Sequence, residues 1–209
     1  PEKWEQVQCG VDIDRIAGEG RIAAILTIEG GAALGGRMER LAELKRRGVK
    51  MMTLTWNGEN EIGFGMPQPE KGLKPFGKEL LHEMEKAGMV IDISHLSDAG
   101  VSDVFKEITG PVAASHSNSR AVCGHGRNLS DEFFSEIVRR GGIVGMNFYK
   151  DFVEDDPQKA DMEGLARHIE HFLELGGENA VCMGSDFDGC DTVPGLEHIG
   201  KTPDFYTYL

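Results

Sequence analysis

The chain has 209 residues, of which 40% are hydrophobic and 27% charged, a composition typical of one globular domain. Its net charge of −13 argues against a nucleic-acid partner, because phosphate binding needs clustered Lys and Arg side chains. No apolar stretch approaches the roughly 18 residues that a membrane helix requires, so we expect no membrane span in this chain.

The N-terminal sequence and the cysteines bear on location. The opening PEKWEQVQCG lacks the basic and apolar regions of a secretory signal. The cysteines form no CxxC pair and no small disulfide framework, which favours free thiols in a reducing compartment. They are Cys9, Cys123, Cys182 and Cys190. Together these features favour a cytoplasmic location.

Apolar β-rich runs alternate with amphipathic runs along the chain, after an opening helical stretch that ends near Ile16. The predicted strands are 21–28, 49–55, 89–94, 111–115, 142–147 and 180–185. The predicted helices are 37–47, 75–87, 99–108, 131–140 and 161–175, most of them followed by a glycine suited to a helix end. This alternation predicts a parallel sheet with right-handed crossovers.

Two parallel architectures fit this pattern: an open doubly wound sheet and a closed barrel of about 250 residues. The length favours the open sheet. The polar residues favour the barrel, because they follow nearly every strand and only a barrel brings all strand ends to one mouth. They are Glu29, Trp56, Asn57, His95, His116, Asn147 and Asp186. We therefore predict an α/β fold of the TIM-type (β/α)8 barrel, incomplete in this chain, with residues 1–209 as a single partial domain.

His95 in DISHLS and His116 in AASHSN are the strongest metal-ligand candidates. A lone histidine at a strand end is more often a hydrogen-bonded structural residue. Here two such residues follow neighbouring strands, which lie about 4.8 Å apart, so both imidazoles can reach one ion. Glu29 in TIEGG adds a carboxylate, although it can equally be read as a loop acid near a helix start. Nitrogen and carboxylate donors without thiolate favour Zn²⁺ over Mn²⁺ or Fe²⁺.

Two aspartates occur in GSDFDG, after the last predicted strand. Strand alternation directs only one of them toward the mouth. Asp186 is nearer the strand, so it is the better candidate for a ligand or a proton-transfer group. Asp188 is predicted to shape the turn before Gly189.

The loop after His116 carries Arg120, His125 and Arg127. An arginine in a water-poor site can hold a carboxylate with two parallel hydrogen bonds, which would orient a substrate with a free C-terminus. An ion pair between such an arginine and a nearby loop acid is an equally open reading. The remaining histidines are predicted to be structural or solvated; they are His82, His168, His171 and His198.

Together these motifs resemble the membrane (renal) dipeptidase family, the M19 group of zinc peptidases. The matching segments are IEGG at 28–31, GLKPFGKELLHEMEKAGMVIDISHLS at 72–97, PVAASHSNSRAVCGHGRN at 111–128, GIVGMNFY at 142–149 and GSDFDG at 184–189. Their order and spacing cover nearly the whole chain. The resemblance implies that residues 1–209 are a partial catalytic domain, a barrel of the metal-dependent hydrolase type. Such a barrel binds two zinc ions per complete site and cleaves dipeptides with a hydroxide that bridges the ions.

The resemblance also implies residue roles. Glu29 corresponds to the glutamate that bridges the two ions, and His95 and His116 correspond to the histidines on one of them. Asp186 corresponds to the acid on the other ion, and with Glu29 it would be catalytic. Arg127 corresponds to the arginine that binds the substrate carboxylate. The predicted substrate contacts are Arg127, Trp56 and Asn147.

The chain departs from the family pattern in two ways. The family has a His-x-Asp pair on its first strand, and none of the seven histidines here is followed two places later by Asp. Trp56 stands where the renal enzyme has a histidine near the substrate carbonyl. The missing His-x-Asp pair and the ending KTPDFYTYL, which stops before the family's final unit, lead us to expect that the first strand and the C-terminal unit are absent from this chain. Trp56 cannot supply the charged or metal-facing donor of that histidine, so it bears on the preference for dipeptides.

Alternative functions stay open at this point. The chain is also compatible with another amide, lactam or N-acyl amino acid hydrolase on the same barrel, since ligands fix the reaction class better than the substrate. A further alternative is an inactive truncated homologue that binds one metal ion or none. The predicted partner is a small dipeptide, and a homodimer is compatible with the sequence.

Overall fold

The computed structural model describes residues 3–209, which form two compact units. The first unit holds the residues up to Ile91 together with Leu96–Ile108. The second unit holds Asp92–His95 and Thr109–Leu209. Each unit is described separately below.

The first unit begins with two short parallel strands, β1 and β2, joined by a helix. The elements are β1 (Trp4–Gln6), α1 (Val11–Gly18) and β2 (Ile22–Ala24). The predicted opening helix is therefore wrong for residues 4–6 and correct for α1, whose Ile16 is fully buried. The predicted strand 21–28 is in fact two strands, because β2 pairs with β1 whereas the residues after Ile25 pair with another strand.

The rest of the first unit contains parallel strands and three helices. The strands are β3 (Leu26–Glu29), β4 (Val49–Thr53) and the start of β5 (Val90–Asp92). The helices are α2 (Glu39–Arg46), α3 (Pro75–Ala87) and α4 (Asp98–Glu107). β3 and β4 are parallel, with Glu29 opposite Thr53. The α3 helix has the predicted bounds because Pro75 starts it and Gly88, at a left-handed φ of 62°, ends it.

The second unit continues from the end of β5 with three more parallel strands. These are β6 (Ala113–Ala114), β7 (Ile143–Asn147) and β8 (Val181–Ser185). The helices are α5 (Asp131–Arg139), α6 (Lys150–Val153), α7 (Met162–Glu174) and α8 (Thr202–Tyr208). Side-chain caps fix the start of α5 and α7: Ser130 accepts from the amide of Phe133, and Asp161 from that of Gly164.

The predicted α/β class and the parallel strand pairing are confirmed in both units. The four cysteines are free thiols, as predicted. Of the helices in residues 3–209, none has the length and apolar character needed to cross a membrane. The assignment of residues 1–209 to one domain and the cytoplasmic location stay predictions.

Two glycines allow the end of β6 to lie very close to β7 and β8. A Cβ atom on Gly145 would be 2.0 Å from the carbonyl oxygen of Ser115, and one on Gly184 would be 2.3 Å from the same atom. The amide of Ser117 donates to the carbonyl of Gly145 at 2.8 Å. His116 lies between Ser115 and Ser117. The position of its backbone therefore depends on the absence of a side chain at Gly145 and at Gly184.

We predict that Gly145→Ala will lower the free energy of unfolding by about 1–3 kcal/mol or more, where 1–3 kcal/mol is the usual cost of overpacking. The reason is that the added methyl group collides with backbone atoms, which cannot move aside as a side chain can. The measurement is chemical denaturation. Gly58→Ala is the control, since a Cβ there meets nothing within 4 Å. Equal stability of the two variants would contradict the packing argument.

Candidate metal centre

His95 and His116 converge at the ends of β5 and β6. Their Nε2 atoms are 2.8 Å apart and both side chains are buried. His95 has a left-handed backbone with φ of 67°, a conformation that non-glycine residues rarely adopt and that often marks functional sites. Both imidazoles thus direct their Nε2 atoms to one point.

This arrangement fits a divalent metal ion. Two imidazole nitrogens at about 2.1 Å from a tetrahedral zinc ion would be roughly 3.4 Å apart, so small ring movements would bring both nitrogens to ligand distance. Burial lowers the pKa of His116, and the nearby Arg127 guanidinium lowers it further, against the opposing effect of Asp92. The neutral imidazole, which is the form that binds a metal, is therefore favoured.

Asp186 and Asn147 form a second part of the site. Asp186 follows β8 and also has a left-handed φ of 67°. The Asn147 side chain donates to Oδ2 of Asp186 at 3.1 Å and, at 3.5 Å, to the carbonyl of His116. Its own Oδ1 accepts from the amide of Tyr149 at 2.7 Å. Asn147 is fully buried, so it holds Asp186 in place; its predicted contact with substrate stays a prediction.

Arg127 lies against the same group of residues. It is buried, its Nη2 is 3.4 Å from the carbonyl of His116, and its guanidinium is 5.4 Å from the ring centre of Phe152. Arg120 instead donates to the backbone of its own loop, to the carbonyls of Asn128 and Gly126. Of the two arginines, Arg127 is therefore the one placed beside the histidines.

The sequence did not indicate the hydrogen bonds that hold the loop between His116 and α5 in place. Asn118 accepts from the amide of Asn147 at 2.8 Å and donates to the carbonyl of Asn147 at 2.9 Å. His168 is fully buried, accepts from the amide of Ser119 at 3.0 Å and bonds the carbonyl of Val153 at 3.0 Å. The prediction that His168 is structural or solvated agrees with a structural role. No pattern in the sequence of this loop indicates these contacts.

Glu29 and Trp56 belong to the first unit. Glu29 ends β3, and the next residue, Gly30, has φ of 87°, in agreement with the tight strand exit that TIEGG predicts. A Cβ on Gly31 would be 2.9 Å from the carbonyl of Leu54, so the backbone needs glycine there as well. Trp56 is 59% exposed, which leaves its ring accessible.

Within the second unit, the structure thus brings together His95, His116, Asn147, Asp186 and Arg127. Imidazole and carboxylate groups at the carboxyl ends of parallel strands are typical of metal sites in proteins of the (β/α)-barrel class. The parallel α/β fold and this group of side chains therefore fit the (β/α)-barrel class, with a candidate metal centre at the strand ends.

Comparison with known proteins identifies the family. The model of the membrane dipeptidase family, peptidase family M19, matches residues 1–209. An uncharacterized dipeptidase of Schizosaccharomyces pombe is 34% identical over 206 residues, which cover 95% of this chain and 50% of that protein. The chain thus belongs to the M19 membrane dipeptidase family and spans about half the length of this curated relative.

Solved structures agree with this assignment. A metallopeptidase from Rhodobacter sphaeroides, solved with a phosphinate mimic of the dipeptide L-Ala-D-Ala, matches with a TM-score of 0.93 and 27% identity, over 99% of this chain and 62% of that one. An amidohydrolase from Pseudomonas aeruginosa matches with a TM-score of 0.80 and 26% identity, over 93% and 58%. The predicted fold, part of a (β/α) barrel, is confirmed by this likeness.

We predict that His168 makes unfolding pH-dependent. Burial lowers its pKa to about 4 from the ordinary 6.5, so the unfolded chain takes up a proton that the folded chain refuses. The contribution of His168 is complete above pH 6.5 and is lost as the pH falls toward 4, by about 3 kcal/mol in total. Comparing urea denaturation of wild type and His168→Gln at each pH isolates this slope. Parallel pH profiles would refute the assignment.

Proposed function

We propose that the protein is a metal-dependent dipeptidase that hydrolyses the peptide bond of dipeptides. The observation that carries the proposal is the convergence of two buried imidazole Nε2 atoms, 2.8 Å apart, at the ends of neighbouring strands in an M19 chain. The dipeptide mimic bound to the Rhodobacter sphaeroides relative supports this substrate class. Because the chain spans only part of its relatives, the activity is proposed for the whole protein.

The proposed cofactor is zinc, with two ions per complete site. By the family resemblance, the residues that would hold the ions are Glu29, His95, His116 and Asp186, which offer two carboxylates and two imidazoles, donor types that zinc accepts. When bound, zinc supplies a hydroxide nucleophile near neutral pH and polarises the scissile carbonyl. The His-x-Asp pair that the family resemblance associates with the second ion does not occur in the 209 residues.

The chain's own residues would carry the remaining steps. Asp186, held by Asn147 at 3.1 Å, passes a proton to the leaving amine. Arg127 binds the terminal carboxylate of the substrate through paired hydrogen bonds. Trp56, exposed near the start of the loop after β4, forms a wall against the substrate side chain. A dipeptide provides the two groups that these roles require, namely an amine that leaves and a free terminal carboxylate.

A second candidate is hydrolysis of another amide, because the amidohydrolase from Pseudomonas aeruginosa shares this fold at 26% identity. A substrate panel of free dipeptides, β-lactams and N-acyl amino acids separates the two. The dipeptidase proposal requires the dipeptides to give the highest kcat/KM. Metal analysis of the full-length protein tests the alternative of an inactive homologue, since close to two zinc ions per chain would exclude it.

We predict that His116→Ala and His95→Ala in the full-length protein will each remove bound zinc and lower kcat/KM for dipeptides at least about a thousandfold, since a lost ligand removes several kcal/mol of transition-state stabilisation. Zinc content and hydrolysis rate are the two measurements. His82→Asn is the matched control, since this histidine lies half-exposed on α3 beside Glu107. Full zinc content and rate in His116→Ala would contradict the metal centre.

We predict that amidation of the dipeptide C-terminus will lower kcat/KM about 10–100-fold, because a charged hydrogen-bonded pair with Arg127 contributes roughly 1.5–3 kcal/mol. In Arg127→Gln the preference for the free acid should disappear. In Arg120→Gln it should persist, since Arg120 bonds to its own loop. Equal cleavage of acid and amide by the wild type would remove Arg127 from this role.

A further inference from the structure

We propose that Asp92 acts through Ser115 as a positioning residue, which fixes the proton of His116 on Nδ1 and leaves Nε2 free to bind the metal. This inference rests on the proposed function in one respect, namely that His116 holds a metal ion. The proposed catalytic and substrate-binding roles involve neither Asp92 nor Ser115. Their role is to set which ring nitrogen of His116 carries the hydrogen.

The carboxylate of Asp92 is fully buried at the end of β5 and is surrounded by donors. Its Oδ1 accepts from the amides of Ser94 at 3.0 Å and of Ser115 at 2.9 Å. Its Oδ2 is 2.5 Å from the hydroxyl oxygen of Ser115. The Ser115 hydroxyl is the donor in this contact, so its single hydrogen is directed to Asp92.

The same hydroxyl oxygen is 2.7 Å from Nδ1 of His116. Because the Ser115 hydrogen is already committed to Asp92, the oxygen acts as an acceptor here and Nδ1 of His116 is the donor. Ser115 also lies near the hydroxyl of Ser94, but that distance of 3.4 Å is long for an O–H···O bond. The shorter contact with Asp92 therefore determines the direction of the chain of hydrogen bonds.

The consequence appears at the other ring nitrogen. A neutral imidazole with its hydrogen on Nδ1 has its lone pair on Nε2, and Nε2 of His116 is the atom that lies 2.8 Å from Nε2 of His95. Hydrogen-bonded partners of this kind orient a histidine ligand and make it more basic, and their loss typically weakens metal binding about 10–100-fold. The amide of His116 also donates to Ser94 at 3.1 Å, which holds its backbone in place.

Asp92→Asn is the sharpest test because it keeps the shape and changes the direction of one hydrogen bond. The backbone amides of Ser94 and Ser115 still need an acceptor, so the side-chain oxygen of the asparagine faces them. Its NH₂ group then faces the Ser115 hydroxyl and donates to it. The Ser115 hydrogen then turns to His116, which moves the imidazole hydrogen to Nε2. We expect zinc affinity of the full-length protein, measured by competition with a chromophoric chelator, to fall about 10–100-fold.

Ser115 provides a matched pair of variants. Ser115→Ala should weaken zinc binding, whereas Ser115→Thr keeps the hydroxyl and should restore most of the affinity. Ser130→Ala controls for stability, because Ser130 caps α5 through the amide of Phe133. It should lower the melting temperature without changing zinc affinity. A melting-temperature loss in Ser115→Ala with unchanged zinc affinity would assign Ser115 a structural role only and overturn the proposal.

The tautomer itself can be measured in the metal-free wild type by ¹⁵N NMR of labelled histidine. The proposal requires a protonated Nδ1 in His116, and a protonated Nε2 as the major form would overturn it even if Asp92→Asn fails to fold. The dipeptidase function is tested separately. A wild type that binds zinc but cleaves no dipeptide would contradict the dipeptidase function and would not affect the positioning role of Asp92. Conversely, an active enzyme whose Asp92→Asn variant binds zinc normally sinks only the present inference.

Discussion

The contact between the Ser115 carbonyl and the glycines of β7 and β8 is the constraint on which the second unit depends. A carbonyl oxygen that would be 2.0 Å from a Cβ on Gly145 and 2.3 Å from one on Gly184 leaves no room for any side chain. This close packing fixes the backbone just before His116. The orientation of that histidine, and of the groups bonded to it, follows from where these strands meet.

Much of the fold was predictable because hydrophobic periodicity reports burial directly. The bounds of α3, and those of β7 and α5 within one residue, follow from apolar spacing and from Pro75, Ser130 and the helix-ending glycines. The elements that were missed are of another kind. The α6 helix has four residues, too few for a period, and residues 21–28 divide between two partners that no local pattern identifies.

The candidate site was predictable only in part. His95, His116 and Asp186 were identifiable because each follows an apolar run that predicts a strand. The supporting residues were not, because a serine or an asparagine in a sequence gives no indication of its hydrogen-bond partner. Asn118 and Asn147 are 29 residues apart yet share two hydrogen bonds, and Asp92 reaches Ser115 across 23 residues. Such contacts exist only once the strands are aligned in register.

The left-handed backbone at the strand ends has a consequence for the evolution of this chain. His95, Ser185, Asp186 and Asp188 all have positive φ, a conformation that costs a non-glycine residue about 1 kcal/mol or more. Glycine at these positions would relieve that cost but would remove the imidazole or the carboxylate. The side chains at these positions therefore make the folded chain less stable than glycine would. Such a loss of stability is the usual cost of keeping functional groups in place.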